Sequence, residues 1–198
     1  MKRVIKPIAL GWIISTSLHA LAAPQDSPAG LAPVLPGETR CNLSVNTPVI
    51  DYGTQSRWQL QDAAASQGVT PGKRTLMVSV TCPTDRTIKL AMHGERSASG
   101  KLRYGNRGSV DLHVVDAQLD GQDVPLAAIT SAGVLVGAPV SSMRLQPGNS
   151  FGPALNGKLA KGKNFSVRIE LEPVLPESAA RIHSREVNES SMTVELID

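Results

Sequence analysis

The stretch Arg74–Cys82 most constrains what this chain can fold into. Leu76, Val78, Val80 and Cys82 fall on every second residue, with Met77, Ser79 and Thr81 between them. A period of two is that of a β-strand with one buried face. Side chains branched at Cβ, such as Val and Thr, suit a pleated surface. The stretch ends on one of only two cysteines, and the other, Cys41, lies about forty residues earlier. A buried strand tethered to an earlier segment is the seed of a small all-β domain.

The N-terminus reads differently. Met1–Lys6 is basic, Ile8–Leu21 is mostly apolar with no Lys, Arg, Asp or Glu, and Ala20-Leu-Ala-Ala23 supplies small residues for cleavage. This is the pattern of a secretory signal peptide over residues 1–23. The competing reading, an uncleaved anchor, meets an apolar run shorter than the roughly 20 residues of a membrane span. Lys2, Arg3 and Lys6 carry the whole formal excess of +3. The remaining chain is close to neutral and has no basic stripe with interleaved aromatics, so nucleic acid is not an expected partner. Two cysteines in an exported chain read as a disulfide, Cys41–Cys82. A reduced thiol pair or a metal site is the alternative, and no histidine lies near either cysteine in sequence to favour it.

Residues 24–40 hold four prolines, which argues against a helix and for an extended segment. Residues 41–53 read as a strand disturbed at Pro48. Residues 54–73 are polar and close on Pro71-Gly72, and Pro83–Arg86 is expected to turn the chain. Ile88, Leu90 and Met92 mark a third strand, and Val110, Leu112 and Val114 a fourth. Asp120-Gly121 is a hairpin signal between Leu119 and Val124. Residues 127–141 read as a loop with a short strand, and 142–146 as a further strand. Phe165, Val167, Ile169 and Leu171 alternate with Ser166, Arg168, Glu170 and Glu172. A polar loop over 173–189, with one helical turn near 177–181, precedes the alternating Met192, Val194 and Leu196. Seven or eight short strands with turns between them predict an all-β, Greek-key sandwich.

Chemistry-bearing constellations are not evident. His93, His113 and His183 are far apart, and neither H-x-x-H nor Gly-x-Ser-x-Gly occurs. Glu170 and Glu172 belong on the solvent face of their strand, where solvation accounts for them better than acid–base catalysis. The expectation is a protein that is not an enzyme and carries no cofactor and no metal.

Several of these features together resemble the pilin-type subunits of chaperone–usher fimbriae. An N-terminal extension precedes the first cysteine. The two cysteines open one strand and end another. Val49-Ile-Asp-Tyr-Gly53 is similar to the family's short apolar segment closing on glycine, and Gly72–Cys82 to its strand running into the second cysteine. The chain departs from the family in ending Leu196-Ile-Asp198, where a penultimate tyrosine is usual, and in its long polar segment 173–189. A minor or divergent subunit is the implied type.

The resemblance implies an immunoglobulin-like sandwich over 41–198 that lacks its last strand and is completed by a strand from another protein. By that likeness Met192, Val194 and Leu196 line the open groove and face a periplasmic chaperone. An outer-membrane usher and other fimbrial subunits are the further partners, a host-cell receptor a conceivable one, and the cell surface the destination. Donor residues within the 24–40 extension would be Ala29, Leu31 and Leu35, although Pro33 lacks an N–H and Pro28 and Pro36 flank the set. A tip subunit needs no donor, so the extension is either a leader or a weak donor. The alternatives are a small adhesive tip subunit and a self-contained periplasmic β-sandwich that binds some ligand.

Overall fold

Phe165, Val167 and Ile169 stand directly opposite Val80, Val78 and Leu76 in an antiparallel ladder, and all six side chains are buried. The two most regular alternations in the sequence thus pair with each other, inner face to inner face. Cross-strand contacts between apolar residues in register are what stabilise such a pair.

The computed structural model describes residues 39–64, 67–130, 132–181 and 185–197. The expected signal peptide, nearly all of the Pro-rich extension, and with it Ala29, Leu31 and Leu35, lie outside the described residues. The strands, in chain order, are β1 (Asn42–Val45), β2 (Gln61–Asp62), β3 (Val69–Thr70), β4 (Arg74–Thr87), β5 (Leu90–Gly94), β6 (Leu102–Tyr104), β7 (Gly108–Leu119) and β8 (Gln122–Asp123). They continue with β9 (Leu126–Ile129), β10 (Leu135–Val140), β11 (Met143–Leu145), β12 (Ser150–Leu155), β13 (Lys158–Leu159), β14 (Lys161–Val174) and β15 (Met192–Leu196). A 3-10 turn spans Arg57–Gln59, and a single-turn helix, α1, spans Glu177–Ala180.

Two antiparallel sheets form an all-β sandwich. One runs β1-β4-β14-β7-β11, with β6 and β8 also on β7; the other runs β10-β9-β12-β5-β15, with β13 on β12. A single core fills the space between them, with Val78, Val167 and Val114 from the first sheet against Leu90, Met92 and Phe151 from the second. Each such side chain, fully buried, contributes roughly 1.5–3 kcal/mol. Cys41 and Cys82 are disulfide-bonded, which ties the start of β1 to β4.

β7 shows how the backbone corrects a broken pattern. Its buried apolar residues are even-numbered from Val110 to Val114 and odd-numbered from Ala117 to Leu119. The change of phase falls at Asp116, which has φ 48°, where the ladder to β14 shifts register. One extra residue in a bulge returns the following side chains to the core. Arg168 of β14 forms an ion pair with Asp116 at that point. The Asp120-Gly121 hairpin forms as expected, with φ of 51° and 81°, both positive as a two-residue turn of this kind requires.

Several expectations need correction. Pro83–Arg86 does not turn the chain: β4 continues to Thr87. Pro83 lies where the β4–β14 ladder is interrupted, between Thr81↔Asn164 and Arg86↔Gly162, so its missing N–H costs no ladder bond. The segment 41–53 is laddered only as far as Val45. Residues 54–73, read as polar and closing on a turn, contain the β2–β3 hairpin with Val69 and Thr70 buried. Residues 127–141 supply most of a β9–β10 hairpin. The strand β12 carries no alternation to announce it; its Gly152 lies so close to β5's approach that a Cβ would come within 2.5 Å of the Ile88 carbonyl oxygen.

Glu172 is the most consequential correction. Expected on a solvent face, it is only 6% exposed. Its Oε1 accepts a hydrogen bond from the Ala64 N–H at 3.2 Å, because residues near the β2–β3 hairpin cover the outer face at this end of β14. Asp111, its register neighbour on β7, is also buried and forms an ion pair with Lys101 at 2.6 Å. Glu170 remains partly exposed and meets Lys73 at 3.1 Å. Burial of a carboxylate demands such partners.

Candidate interaction groove

At one end of the second sheet, β15 pairs with β5 alone, in the register Met192↔Gly94 to Leu196↔Leu90. The backbone groups on its other edge meet no strand among the described residues. Thr193 and Glu195 are exposed, whereas Met192, Val194 and Leu196 are half-buried and pack on the core. The alternation read from the sequence thus places these three side chains on the inner face, at an edge.

Across the cavity from the Met192 end of that edge runs a segment with no ladder of its own. β1 stops at Val45, and Asn46 N–H still reaches the Met77 carbonyl at 3.1 Å. Pro48 then follows, which cannot donate to a ladder. Ile50 and Tyr52 pack on the core, while Val49 is 77% exposed and Trp58 94% exposed. Between the 47–60 segment and the 175–192 segment opens a cavity of about 1440 Å³. Leu76, Leu102, Val110, Leu112 and Leu171 from the first sheet form its floor, and Met192 lies on its β15 side. The volume exceeds the ~300–1,000 Å³ of ordinary small-molecule sites.

No protein-family model matches the chain, and no curated protein matches it significantly.

Polar groups are concentrated on the two lips. Arg57 donates from Nε and Nη2 to Glu177, at 3.0 and 2.8 Å to Oε1 and 2.8 Å to Oε2. Arg181 donates to the same carboxylate at 3.0 Å. The hydrogen bonds from Arg57, with those from Arg181, hold the Glu177 carboxyl below its ordinary range. The second lip is also pinned to the β6–β7 turn: Gly105 N–H donates to the Glu189 carbonyl at 2.9 Å, and the Ser190 hydroxyl to the Arg103 carbonyl at 2.6 Å. Inside, burial pushes the Tyr52 phenol up to about 12 and raises Tyr104 as well. The Arg74 guanidinium lies 5.4 Å from the Tyr52 ring centroid, a cation–π distance.

Among the described residues, no group of three His, Cys, Asp or Glu side chains is arranged to hold a metal ion. The arrangement combines an apolar floor, a strand edge unpaired among the described residues and polar lips. Of Met192, Val194 and Leu196, which the resemblance puts on a groove, Met192 lies on this cavity and the other two do not line it; sequence reasoning missed Tyr52 as a polar group within it. It also missed the Arg57–Glu177 pair, for which no local signal exists at a separation of 120 positions.

Proposed function

We propose that the chain is a structural subunit of a bacterial surface fibre, completed and assembled by β-strand addition. The observation that carries this reading is the edge of β15, unpaired among the described residues, whose Met192 end lies on an apolar groove with a lip, residues 47–60, that makes no ladder. An open edge over an apolar floor is an aggregation hazard when left bare. A strand laid into it gains main-chain hydrogen bonds for affinity and side-chain pockets for specificity. On this reading the sandwich is immunoglobulin-like and lacks one strand. A periplasmic chaperone fills the groove first, and another fimbrial subunit replaces it at an outer-membrane usher. The expected signal peptide and the Cys41–Cys82 bond support export through an oxidising compartment, with cell adhesion as the role at the surface.

One observation favours a second reading, a self-contained periplasmic binding domain. The bidentate Arg57–Glu177 pair bridges the two lips and would hold a finished domain closed. The two readings separate in thermal unfolding of the chain with and without an alternating apolar strand fused after Asp198. A large gain in Tm and in solubility on fusion is expected for the strand-accepting subunit. Equal melting of two soluble monomers would discard it in favour of the closed domain.

A further inference from the structure

We infer that the side chains of Lys101 and Asp111 become joined, after folding, by an amide bond that needs no added reagent and is assisted by Glu172. The three residues stand in a row across β6, β7 and β14. β6 pairs with β7 in the register Leu102↔Val110 and Arg103↔Ser109, so Lys101 extends that ladder opposite Asp111. Asp111 in turn stands directly opposite Glu172. Opposite residues of antiparallel strands project to the same face, with Cβ atoms about 4.5–5.5 Å apart. Here that is the outer face of the first sheet, and both carboxyl residues are only 6% exposed. Lys101 Nζ lies 2.6 Å from one Asp111 carboxylate oxygen and 2.9 Å from the other. Two such distances bring the nitrogen within the roughly 3–3.5 Å of the carboxyl carbon that a near-attack arrangement requires.

The row holds two buried carboxyls for one lysine. Like charges directly opposite in a ladder repel each other, and attraction within a buried ion pair offsets its desolvation only in part. An amide leaves one ionisable group in the row instead of three. The step balances by itself. The Lys101 nitrogen bonds to the Asp111 Cγ, one Cγ–O bond breaks, and ammonium plus carboxylate become one amide and one water. Nothing is oxidised or reduced. Two protons pass from the nitrogen to the departing oxygen, and Glu172 is the neighbouring carboxyl that relays them. The Ala64 N–H, 3.2 Å from Glu172 Oε1, holds that carboxyl in place. The bond staples β6 to β7. Leu102 and Tyr104 of β6 line the groove, and Arg103 and Gly105 hold the Glu189–Ser190 lip, so the staple fixes one wall of the groove. It does not depend on what the groove accepts.

Intact-mass spectrometry of the full chain tests this. The expected mass falls one water short of that calculated for the disulfide-bonded sequence. Trypsin does not cleave after an acylated lysine, so it should yield a branched peptide joining Ser97–Arg103 to Gly108–Arg144. Lys101→Arg should restore the full mass. Glu172→Gln, compared at equal folded fraction by circular dichroism, should accumulate the bond at least about a hundredfold more slowly. An unaltered chain at full mass means an ordinary ion pair and overturns the inference. So does a water loss that survives Lys101→Arg, which cyclisation at Asp120-Gly121 would give. Equal rates in Glu172→Gln and the unaltered chain would overturn the part assigned to that carboxyl.

Discussion

Arg57 and Glu177 are separated by 120 residues, yet Nη2 of one lies 2.8 Å from each carboxylate oxygen of the other. The pair joins the two lips of the groove and is itself partly exposed. Glu177 is held below its ordinary value of 4.5, so its stabilising effect is present above that value. The effect disappears as pH falls through the depressed folded-state value. Glu177→Gln should melt lower than the unaltered chain at neutral pH, with the gap closing in acid and narrowing in concentrated salt. Parallel Tm curves against pH would show that the pair does not link the lips.

Tyr52 responds at the other end of the scale. Its folded-state value lies at about 12 against an ordinary 10.0, so its contribution is complete below pH 10 and is lost as pH rises toward 12. Tyr104 is raised in the same direction. Alkaline unfolding of Tyr52→Phe should therefore be shallower over this window but not flat. At neutral pH the substitution removes only a hydroxyl without a hydrogen-bond partner among the described residues and should change stability by less than about 1 kcal/mol.

The disulfide closes a long loop, with its cysteines 41 positions apart. In the chain-entropy account such a closure contributes about 4 kcal/mol. Cys41→Ala with Cys82→Ala should lower Tm by roughly 10 °C for a domain of this size. A scanning calorimetry trace unchanged within error would mean that the unbridged chain keeps these ends together by other contacts.

Asp120 secures the corner where β7 turns into β8. Its carboxylate accepts from Asn164 N–H at 2.8 Å and from Lys163 N–H at 3.1 Å, and its own N–H donates to the Asn164 carbonyl at 2.7 Å. Its φ of 51° is one that alanine adopts reluctantly. Asp120→Ala should cost about 1–3 kcal/mol in urea titration. Asp120→Asn, which tolerates that backbone and keeps an acceptor, should recover most of it.

Alternation alone, a consequence of local backbone sterics, determined the inner faces of β4, β14 and β15. Leu76 to Cys82 and Phe165 to Leu171 are buried as their period requires, and Met192, Val194 and Leu196 turn inward together. The Asp120-Gly121 hairpin is local in the same sense, since two positive φ angles at that dipeptide need no distant contact. Tertiary structure decided the rest. Pro83 sits inside a strand because an interruption in the β14 ladder happens to face it. Glu172 is buried because residues a hundred positions earlier in the chain cover its strand. The Tyr52 hydroxyl is buried without a partner among the described residues because its segment crosses an apolar floor, and Arg57 finds Glu177 only because two loops meet over the same groove. Side-chain period is a property of neighbours in the chain, whereas coverage and pairing depend on which distant segments share a surface.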